Sequence, residues 1–202
     1  FNCGHNTHAS VAHTYKIESK TTVPGRYMDI TGNKATAYGF IAAAEKAGLK
    51  LFLGSYPITP ATDVLHELSK HKSLGVMTVQ CEDEISGCAT SIGAAFAGAL
   101  AVTSTSGPGV CLKSEAMNLA VITELPLVVL DVQRGGPSTG LPTKSEQTDL
   151  LQALFGRNGE SPMPVIAASS PTSCFDAAYM ASKIALEHMT PVVLLTDGFV
   201  AN

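Results

Sequence analysis

The sequence contains no apolar run approaching the roughly 20 residues that cross a bilayer, so no transmembrane segment is predicted. The first residues lack the charged start and apolar core of a secretory signal. No basic cluster is present and the net charge is −4, which argues against nucleic acid as the main ligand. Charged residues make up 15% of the chain, against about 25% in an average globular protein. Partner subunits or sister domains are therefore expected to cover much of the surface.

Cysteine is sparse, and no two of the five cysteines form a Cys-x-x-Cys pair. This spacing indicates neither a disulfide framework nor an iron–sulfur cluster, and it predicts free thiols in a reducing cytoplasm. Cys3, His5 and His8 stand close together, but they lie in a polar stretch without periodicity. A linker is the simpler interpretation of that stretch, so no metal site is predicted in this chain.

The length allows one well-buried domain and is too short for two. Residues 1–27 are polar and aperiodic, and they are interpreted as a linker or tail from a preceding domain. Residues 28–202 are expected to form the folded domain. Because the sequence starts at Phe1 and stops at Asn202, it is expected to be part of a longer polypeptide.

Strand-like and helical segments alternate through the folded part. Several strand segments are apolar on both faces, as expected when helices cover both sides of a parallel sheet. The pattern predicts an α/β domain, doubly wound, with a mainly parallel sheet of about six strands and helices on both faces. The predicted strands are 49–54, 75–80, 100–105, 125–132, 165–168 and 192–196, and the predicted helices are 31–47, 61–71, 83–99, 113–123, 145–154 and 172–188.

The segment Tyr56-Pro57-Ile58-Thr59-Pro60 follows the first predicted strand. Ligands of open α/β sheets bind at the carboxyl ends of strands. The two prolines fix the backbone and leave the Thr59 hydroxyl just before Pro60, which suits the first position of a helix. The segment is either an anion-reading loop or a proline-bounded turn with an N-cap.

Three acidic residues, Glu82, Asp83 and Glu84, directly follow the second predicted strand and open a helix. The helix dipole favours acids there, and solvated acids are an ordinary feature of such a position. Burial and crowding would instead raise a carboxylate pKa, while the helix terminus lowers it. A buried glutamate at this place would suit a hydrogen bond to the ring nitrogen of a heterocycle.

The helix after these acids is rich in glycine and alanine. Each interior glycine costs about 1 kcal/mol relative to alanine. We expect this helix to approach another backbone closely, either that of its own sheet or that of a neighbouring subunit or domain.

Two glycine-containing segments end the third and fourth predicted strands, at 104–109 and 133–140. Glycine lets a backbone approach a ligand closely, but the spacing matches neither a phosphate loop nor a dinucleotide fingerprint. Arg134 in the second segment is either a bidentate partner for a substrate carboxylate or a surface arginine on a mobile loop.

These features share one edge of the predicted sheet. Thr59, Glu84, Ser106 and Arg134 all follow the carboxyl ends of successive strands. A hydroxyl, a carboxylate, a glycine-rich turn and an arginine on one edge indicate part of an active site.

The motifs together resemble the α subunit of the 2-oxoacid:ferredoxin oxidoreductase family. The resemblance covers about residues 27–202 and is closest to 2-oxoglutarate-type α subunits, including those with a γ domain fused in front. It implies the pyrimidine domain of a thiamine-diphosphate-binding fold, cut from a γ–α fusion. The matching segments are Tyr56-Pro57-Ile58-Thr59-Pro60, Glu82-Asp83-Glu84-Ile85, Thr105-Ser106-Gly107-Pro108-Gly109 and the run 133–143.

The resemblance also implies roles for individual residues. Glu84 matches the glutamate that hydrogen-bonds the pyrimidine N1′ of the cofactor. Thr59 matches a hydroxyl that reaches the substrate, and Arg134 matches an arginine that reads a substrate carboxylate. Further cofactor contacts are implied for Tyr56, Pro57, Ile58, Ser106 and Gly107.

The resemblance places the remaining chemistry on other chains. The only Asp-Gly pair is Asp197-Gly198 at the end of the sequence, so the diphosphate and its magnesium are expected on a β subunit. The iron–sulfur cluster is expected there too. The implied assembly is a dimer of heterodimers that converts a 2-oxoacid, 2-oxoglutarate or pyruvate, and coenzyme A to an acyl-CoA and reduces ferredoxin or flavodoxin. The chain alone should be inert.

Two other interpretations stay open at this point. One is the pyrimidine domain of a different thiamine-diphosphate enzyme, against which the arginine–glycine segment argues. The other is a non-catalytic α/β module for nucleotide binding or interaction, which the missing glycine fingerprint disfavours.

Overall fold

The computed structural model describes residues 23–202 and contains one six-stranded sheet. The strand order is β2-β1-β3-β4-β6-β5, and every pair of neighbouring strands is parallel. This confirms the predicted fold class. The strands are β1 Leu51–Ser55, β2 Val76–Gln80, β3 Leu100–Thr105, β4 Leu127–Gln133, β5 Val165–Ala167 and β6 Pro191–Asp197.

Helices cover both faces of this sheet and connect the strands. They are α1 Gly32–Ala47, α2 Thr62–Leu68, α3 Glu84–Phe96, α4 Gly107–Ile122, α5 Leu150–Phe155, α6 Ser173–His188 and α7 Gly198–Ala201, with a 3₁₀ turn at Lys72–Leu74.

Two apolar layers stabilise the sheet, one on each face. Successive strand residues point to opposite faces, so β4 sends Leu130 to one layer and Val129 to the other. The first layer includes Phe40 of α1 and the second includes Met117 of α4. Water is therefore excluded from both faces of the sheet, and the central strands contain almost no polar residues before their carboxyl ends.

Helix α4 begins at Gly107, so the predicted helix start near residue 113 was wrong, and the glycine-rich turn expected after β3 is the first turn of a helix. Pro108 is the reason, because proline suits the first turn of a helix, where its missing N–H is not needed. The segment is the end of β3 followed directly by a helix N-terminus.

The prediction that Pro60 opens a helix was also wrong, because α2 begins at Thr62. The Thr62 hydroxyl accepts a 2.7 Å hydrogen bond from the Ile58 N–H and donates one of 2.8 Å to the Ile58 carbonyl. These two bonds close the turn between β1 and α2 before the helix starts.

Helix α3 lies tightly against β1 on one side. A Cβ at Gly54 would overlap the carbonyl oxygen of Gly87, and the Gly54 N–H donates to Ser91 Oγ at 3.1 Å. On its other side, Phe96 is 84% exposed. The small residues thus serve packing on the chain's own sheet, and the contact with a neighbouring subunit stays a prediction.

The four cysteines within residues 23–202 are free thiols, as predicted. That part of the chain holds no cluster of three or more His, Cys, Asp or Glu side chains placed to bind a metal ion. None of its helices is long and apolar enough to cross a membrane. Cys3, His5, His8 and most of the predicted linker lie outside the described residues.

Candidate active site

The strand order reverses between β1 and β3, because the chain runs from β1 to β2 on one side and from β3 to β4 on the other. Such a switch point opens a ligand-binding crevice at the carboxyl ends of the strands. Tyr56 follows β1 here, and its hydroxyl lies 2.8 Å from Oγ1 of Thr105 at the end of β3. Below them, Ser55 Oγ and Ser104 Oγ are 2.6 Å apart. These hydroxyl pairs join the carboxyl ends of β1 and β3 at the switch point.

Glu84 is the first residue of α3, and the local sequence fixes that start. Asp83 and Ser86 form a capping box, in which Asp83 Oδ1 accepts from the Ser86 N–H at 2.8 Å and Ser86 Oγ accepts from the Asp83 N–H at 3.2 Å. The hydrogen bond from the Ser86 backbone lowers the pKa of Asp83. Glu82 and Asp83 are exposed, whereas Glu84 is partly buried. Of the three acids, Glu84 alone turns toward the crevice.

Glu84, Tyr56 and Thr105 converge on Gly109 in the first turn of α4. A Cβ at Gly109 would overlap Thr105 Oγ1 and Tyr56 Oη, and it would lie 3.0 Å from Glu84 Cγ. Burial raises the pKa of the Tyr56 phenol well above its ordinary value, and the Glu84 carboxylate adds to this rise. The site therefore pairs a neutral phenol with a carboxylate around a position where only glycine fits.

Lys113 is a site residue that the sequence reasoning missed. Its side chain is completely buried, and Nζ donates to the Glu84 carbonyl at 2.9 Å and to Thr103 Oγ1 at 3.0 Å. Burial lowers the pKa of Lys113 to about 8. The signal was present, because Lys113 occupies the buried stripe of α4 between Gly109 and Met117, where an apolar residue is expected.

Arg134 is 5% exposed, so the interpretation as a surface arginine was wrong. Its Nη1 donates to the Thr59 carbonyl and its Nη2 to the Thr139 carbonyl, each at 2.7 Å. Arg134 thereby joins the turn after β1 to the glycine-rich segment after β4. Thr59 is exposed and meets Arg134 through its backbone rather than its hydroxyl.

A cavity of about 700 Å³ opens beside the crevice. Of the predicted site residues, Gly107 and Arg134 line it, whereas Glu84, Tyr56, Pro57, Ile58, Thr59 and Ser106 do not. Ser106 is the residue before α4, and its buried Oγ has no hydrogen-bond partner among the described residues. The structure thus brings the predicted residues to one edge in two adjoining groups, one around Glu84 and one around Arg134.

Asp149 lines this cavity, and the carboxyl group of Asp131 lies next to it. Asp131 of β4 is completely buried, and neither of its carboxyl oxygens meets a donor among the described residues. Burial raises the pKa of Asp131 well above its ordinary value, and the neighbouring Asp149 carboxyl adds to this. Burial also raises the pKa of Asp149, whose Oδ2 would lie 2.6 Å from a Cβ at Gly107. Because two neighbouring carboxyl groups resist ionising together, we expect them to share one proton.

Residues 42–202 match a protein family described as pyruvate flavodoxin/ferredoxin oxidoreductase, thiamine diphosphate-binding. The chain belongs to this family.

Individual members of the family agree with this assignment. The 2-oxoglutarate oxidoreductase subunit KorA of Mycobacterium tuberculosis is 61% identical over 202 residues, which is 100% of this chain and 31% of the relative. The 2-oxoglutarate synthase subunit KorA of Archaeoglobus fulgidus is 42% identical over 174 residues, covering 86% of this chain and 49% of the relative. The chain therefore spans at most about half of these relatives.

A solved structure of the family has the same fold. It is 2-oxoglutarate:ferredoxin oxidoreductase from Magnetococcus marinus with 2-oxoglutarate, coenzyme A and succinyl-CoA bound. The similarity has a TM-score of 0.80 at 43% identity, over 85% of this chain and 29% of that chain. These matches do not support the interpretation as a non-catalytic module.

A proton shared in this way should make the stability of the chain depend on pH. Because the folded-state pKa of Asp131 is raised, the free energy of unfolding should fall as the pH rises from the unfolded pKa of about 3.9 toward the folded value. Asparagine cannot ionise, so the unfolding temperature of Asp131→Asn minus that of the original chain should increase as the pH rises above about 3.9. Thermal unfolding over that range measures this, and a pH-independent difference would contradict the shared proton.

Proposed function

We propose that this chain is the pyrimidine-binding half of a thiamine-diphosphate-dependent 2-oxoacid:ferredoxin oxidoreductase. Its substrate is 2-oxoglutarate, with pyruvate as the alternative, and the products are an acyl-CoA and reduced ferredoxin or flavodoxin. The observation that carries the proposal is the convergence of Glu84, Tyr56 and Thr105 on Gly109 at the switch point of the sheet. The names of the KorA relatives support 2-oxoglutarate as the substrate.

The residues of the crevice fit an aminopyrimidine ring. Glu84 offers a carboxylate that would accept a hydrogen bond from the ring edge, and Ser106 offers a buried hydroxyl without a partner among the described residues. Gly109 lets the side chains of Tyr56, Thr105 and Glu84 pack directly against the backbone of α4. Tyr56, Pro57 and Ile58 would lie against the ring. When bound, thiamine diphosphate supplies the electron sink that lets a 2-oxoacid lose carbon dioxide.

Arg134 would hold the carboxylate of the substrate in the adjoining cavity. A guanidinium has five N–H donors, and the two bonds to the Thr59 and Thr139 carbonyls leave three of them. Nε is buried and has no partner within residues 23–202. Because its other bonds join two loops, Arg134 would fix the shape of the site as well as bind. Thr59, held by this contact, would present its exposed hydroxyl to the substrate.

Arg134→Ala should raise the KM for the 2-oxoacid by roughly 10- to 100-fold, because a charge-assisted hydrogen bond contributes about 1.5–3 kcal/mol. The turnover number should fall too, since the residue orients as well as binds. Steady-state kinetics of the complete complex measures both. Arg157→Ala is the matched control, because Arg157 also donates to backbone carbonyls but lies outside this cavity. An unchanged KM in Arg134→Ala, or an equal rise in both variants, would contradict the role.

The β subunit would provide the diphosphate site, its magnesium and the iron–sulfur cluster, in a cytoplasmic dimer of heterodimers. Asp197 of the single Asp-Gly pair is already engaged, because its Oδ1 accepts from the N–H groups of Phe199 and Val200 and its Oδ2 from Gln147. It therefore serves as a helix cap in this chain. This supports a diphosphate site on another subunit.

The proposal is tested by reconstituting the chain with the β subunit of the same complex. Thiamine diphosphate, magnesium and iron are measured in the purified assembly, and ferredoxin reduction is followed with 2-oxoglutarate, pyruvate and a branched-chain 2-oxoacid. We expect no activity from the chain alone and the highest kcat/KM with 2-oxoglutarate. An assembly without thiamine diphosphate, or one inactive with every 2-oxoacid, would contradict the proposal.

A further inference from the structure

Lys113 is a buried ammonium group that forms no ion pair with any carboxylate the structure describes. Lysine is almost never fully buried unless it is paired, yet its Nζ forms no ion pair within residues 23–202. Its contacts are the Glu84 carbonyl at 2.9 Å, Thr103 Oγ1 at 3.0 Å and the Tyr56 ring, whose centroid is 5.1 Å away. A carbonyl, a hydroxyl and an aromatic face together satisfy the three N–H groups.

These three contacts come from three different elements of the site. The Glu84 carbonyl belongs to the first turn of α3, Thr103 belongs to β3, and Tyr56 begins the turn after β1. Lys113 itself lies on α4, one helical turn after Gly109. Its ammonium group therefore connects the start of α3 to β3 and to the turn after β1. A methionine would fill similar space without the cost of burying a charge, but it would make none of these bonds.

We propose that Lys113 is a positioning residue for Glu84, which it holds in the crevice by fastening the first turn of α3 to β3 and to Tyr56. The inference rests on the proposed function, in which the Glu84 carboxylate hydrogen-bonds the cofactor's pyrimidine ring. Lys113 acts through the Glu84 backbone and does not touch the ligand.

The charge on Lys113 makes this positioning sensitive to pH. Burial lowers the pKa of Lys113 to about 8, while Cys88, Glu84, Cys81 and Asp83 act in the opposite direction. These groups face it from α3 and the segment before it, whereas β3 and the turn after β1 contribute the uncharged Thr103 and Tyr56. Loss of the proton weakens the bond to the Glu84 carbonyl, because a charged donor forms a stronger hydrogen bond than a neutral one.

The test uses the complete complex with its β subunit, stripped of cofactor and titrated with thiamine diphosphate by calorimetry. Lys113→Met should weaken binding by about 10-fold or more at pH about 7, which equals about 1.4 kcal/mol. The original complex should lose affinity as the pH rises through about 8, and Lys113→Met should lack this loss. Lys50→Met, which changes an exposed lysine at the opposite end of β1, should bind like the original.

Thr103→Val is a second variant, which tests the same inference if the Lys113→Met chain does not assemble with the β subunit. It removes one acceptor of Nζ, so affinity should fall by about 3- to 10-fold, as expected for one hydrogen bond. Original affinity in Thr103→Val, or in an assembled Lys113→Met complex, would overturn the inference. So would a Lys113→Met complex that keeps the pH dependence of the original.

A double-mutant cycle separates action through Glu84 from a general structural effect. In the Glu84→Gln background, Lys113→Met should weaken thiamine diphosphate binding by less than about 2-fold, because contacting residues in one pathway are not additive. Full additivity would overturn the inference. Original affinity and turnover in Glu84→Gln would instead overturn the proposed function. An impaired Glu84→Gln beside an unaffected Lys113→Met would leave the proposed function standing and remove only the role of Lys113.

Discussion

Glu84→Gln should abolish 2-oxoacid-dependent ferredoxin reduction by the assembled complex, with a loss of at least about 100-fold, the range that a positioned proton-transfer group contributes. Glutamine has the same size but offers a neutral amide in place of the carboxylate that would hold the pyrimidine ring. The fold should survive, because the Asp83–Ser86 capping box starts α3 and Lys113 holds the Glu84 backbone. Ferredoxin reduction, normalised to the assembled complex, measures the effect.

Glu82→Gln is the matched control for this variant. Glu82 is exposed and stands two positions before Glu84 in the same acidic trio. We expect its turnover to stay close to that of the original complex. Near-normal turnover in Glu84→Gln, or an equal loss in both variants, would remove Glu84 from the site.

Gly109→Ala should remove thiamine diphosphate binding and with it the activity. The new Cβ would overlap Thr105 Oγ1 and Tyr56 Oη and press on Glu84 Cγ from 3.0 Å, so all three side chains must move. Forcing a methyl group into a packed site costs about 1–3 kcal/mol. We therefore expect a lower unfolding temperature in addition to the lost affinity. Calorimetric titration of the complex and thermal unfolding of the chain measure the two effects.

Gly93→Ala is the control for the change from glycine to alanine. Gly93 lies in α3, and a Cβ there would meet no described heavy atom within 4 Å. Alanine should raise the stability of the chain by about 0.5–1 kcal/mol, since glycine is unfavourable inside a helix. If Gly109→Ala bound the cofactor like the original complex, the crowded glycine would have no role in the crevice.

The fold was predictable because the buried strands are continuous apolar runs. Strand β3 was predicted at 100–105 and is found at Leu100–Thr105. The shared edge of the predicted site residues was also predictable, because the carboxyl ends of parallel strands meet at one edge. Which of the three adjacent acids turns inward was indicated only by the family resemblance, because the residue pattern alone does not distinguish them. Glu84 is selected by contacts from Tyr56 and Gly109, which are distant in sequence.

The burial of Arg134 and the start of α5 could not be predicted, because both depend on how the chain folds after β4. Arg134 looked like a loop residue, but the segment folds back so that Thr139 covers its guanidinium. A helix was predicted over 145–154, yet the segment becomes helical only at Leu150. The Asp149 N–H before it donates to Gln133 Oε1 at 3.0 Å instead. Local propensity cannot anticipate such a contact between a loop and a strand.

Lys113 and Asp131 could have been recognised from the sequence as unusual residues. Each is a charged residue type in the middle of an otherwise apolar, buried pattern, one on α4 and one on β4. Such a residue must be paired, neutralised or functional, because an isolated buried charge is very costly. The interruption is visible in sequence, but the partners that satisfy it are visible only in the fold.

The position of the cofactor ring in the assembled complex is the most direct measurement. A structure of the complex with thiamine diphosphate bound should show the aminopyrimidine between the ends of β1 and β3. A ring nitrogen should lie within about 2.6–3.2 Å of the Glu84 carboxylate, the reach of a hydrogen bond. A ring bound elsewhere, or a Glu84 side chain pointing into solvent away from it, would contradict the site described above.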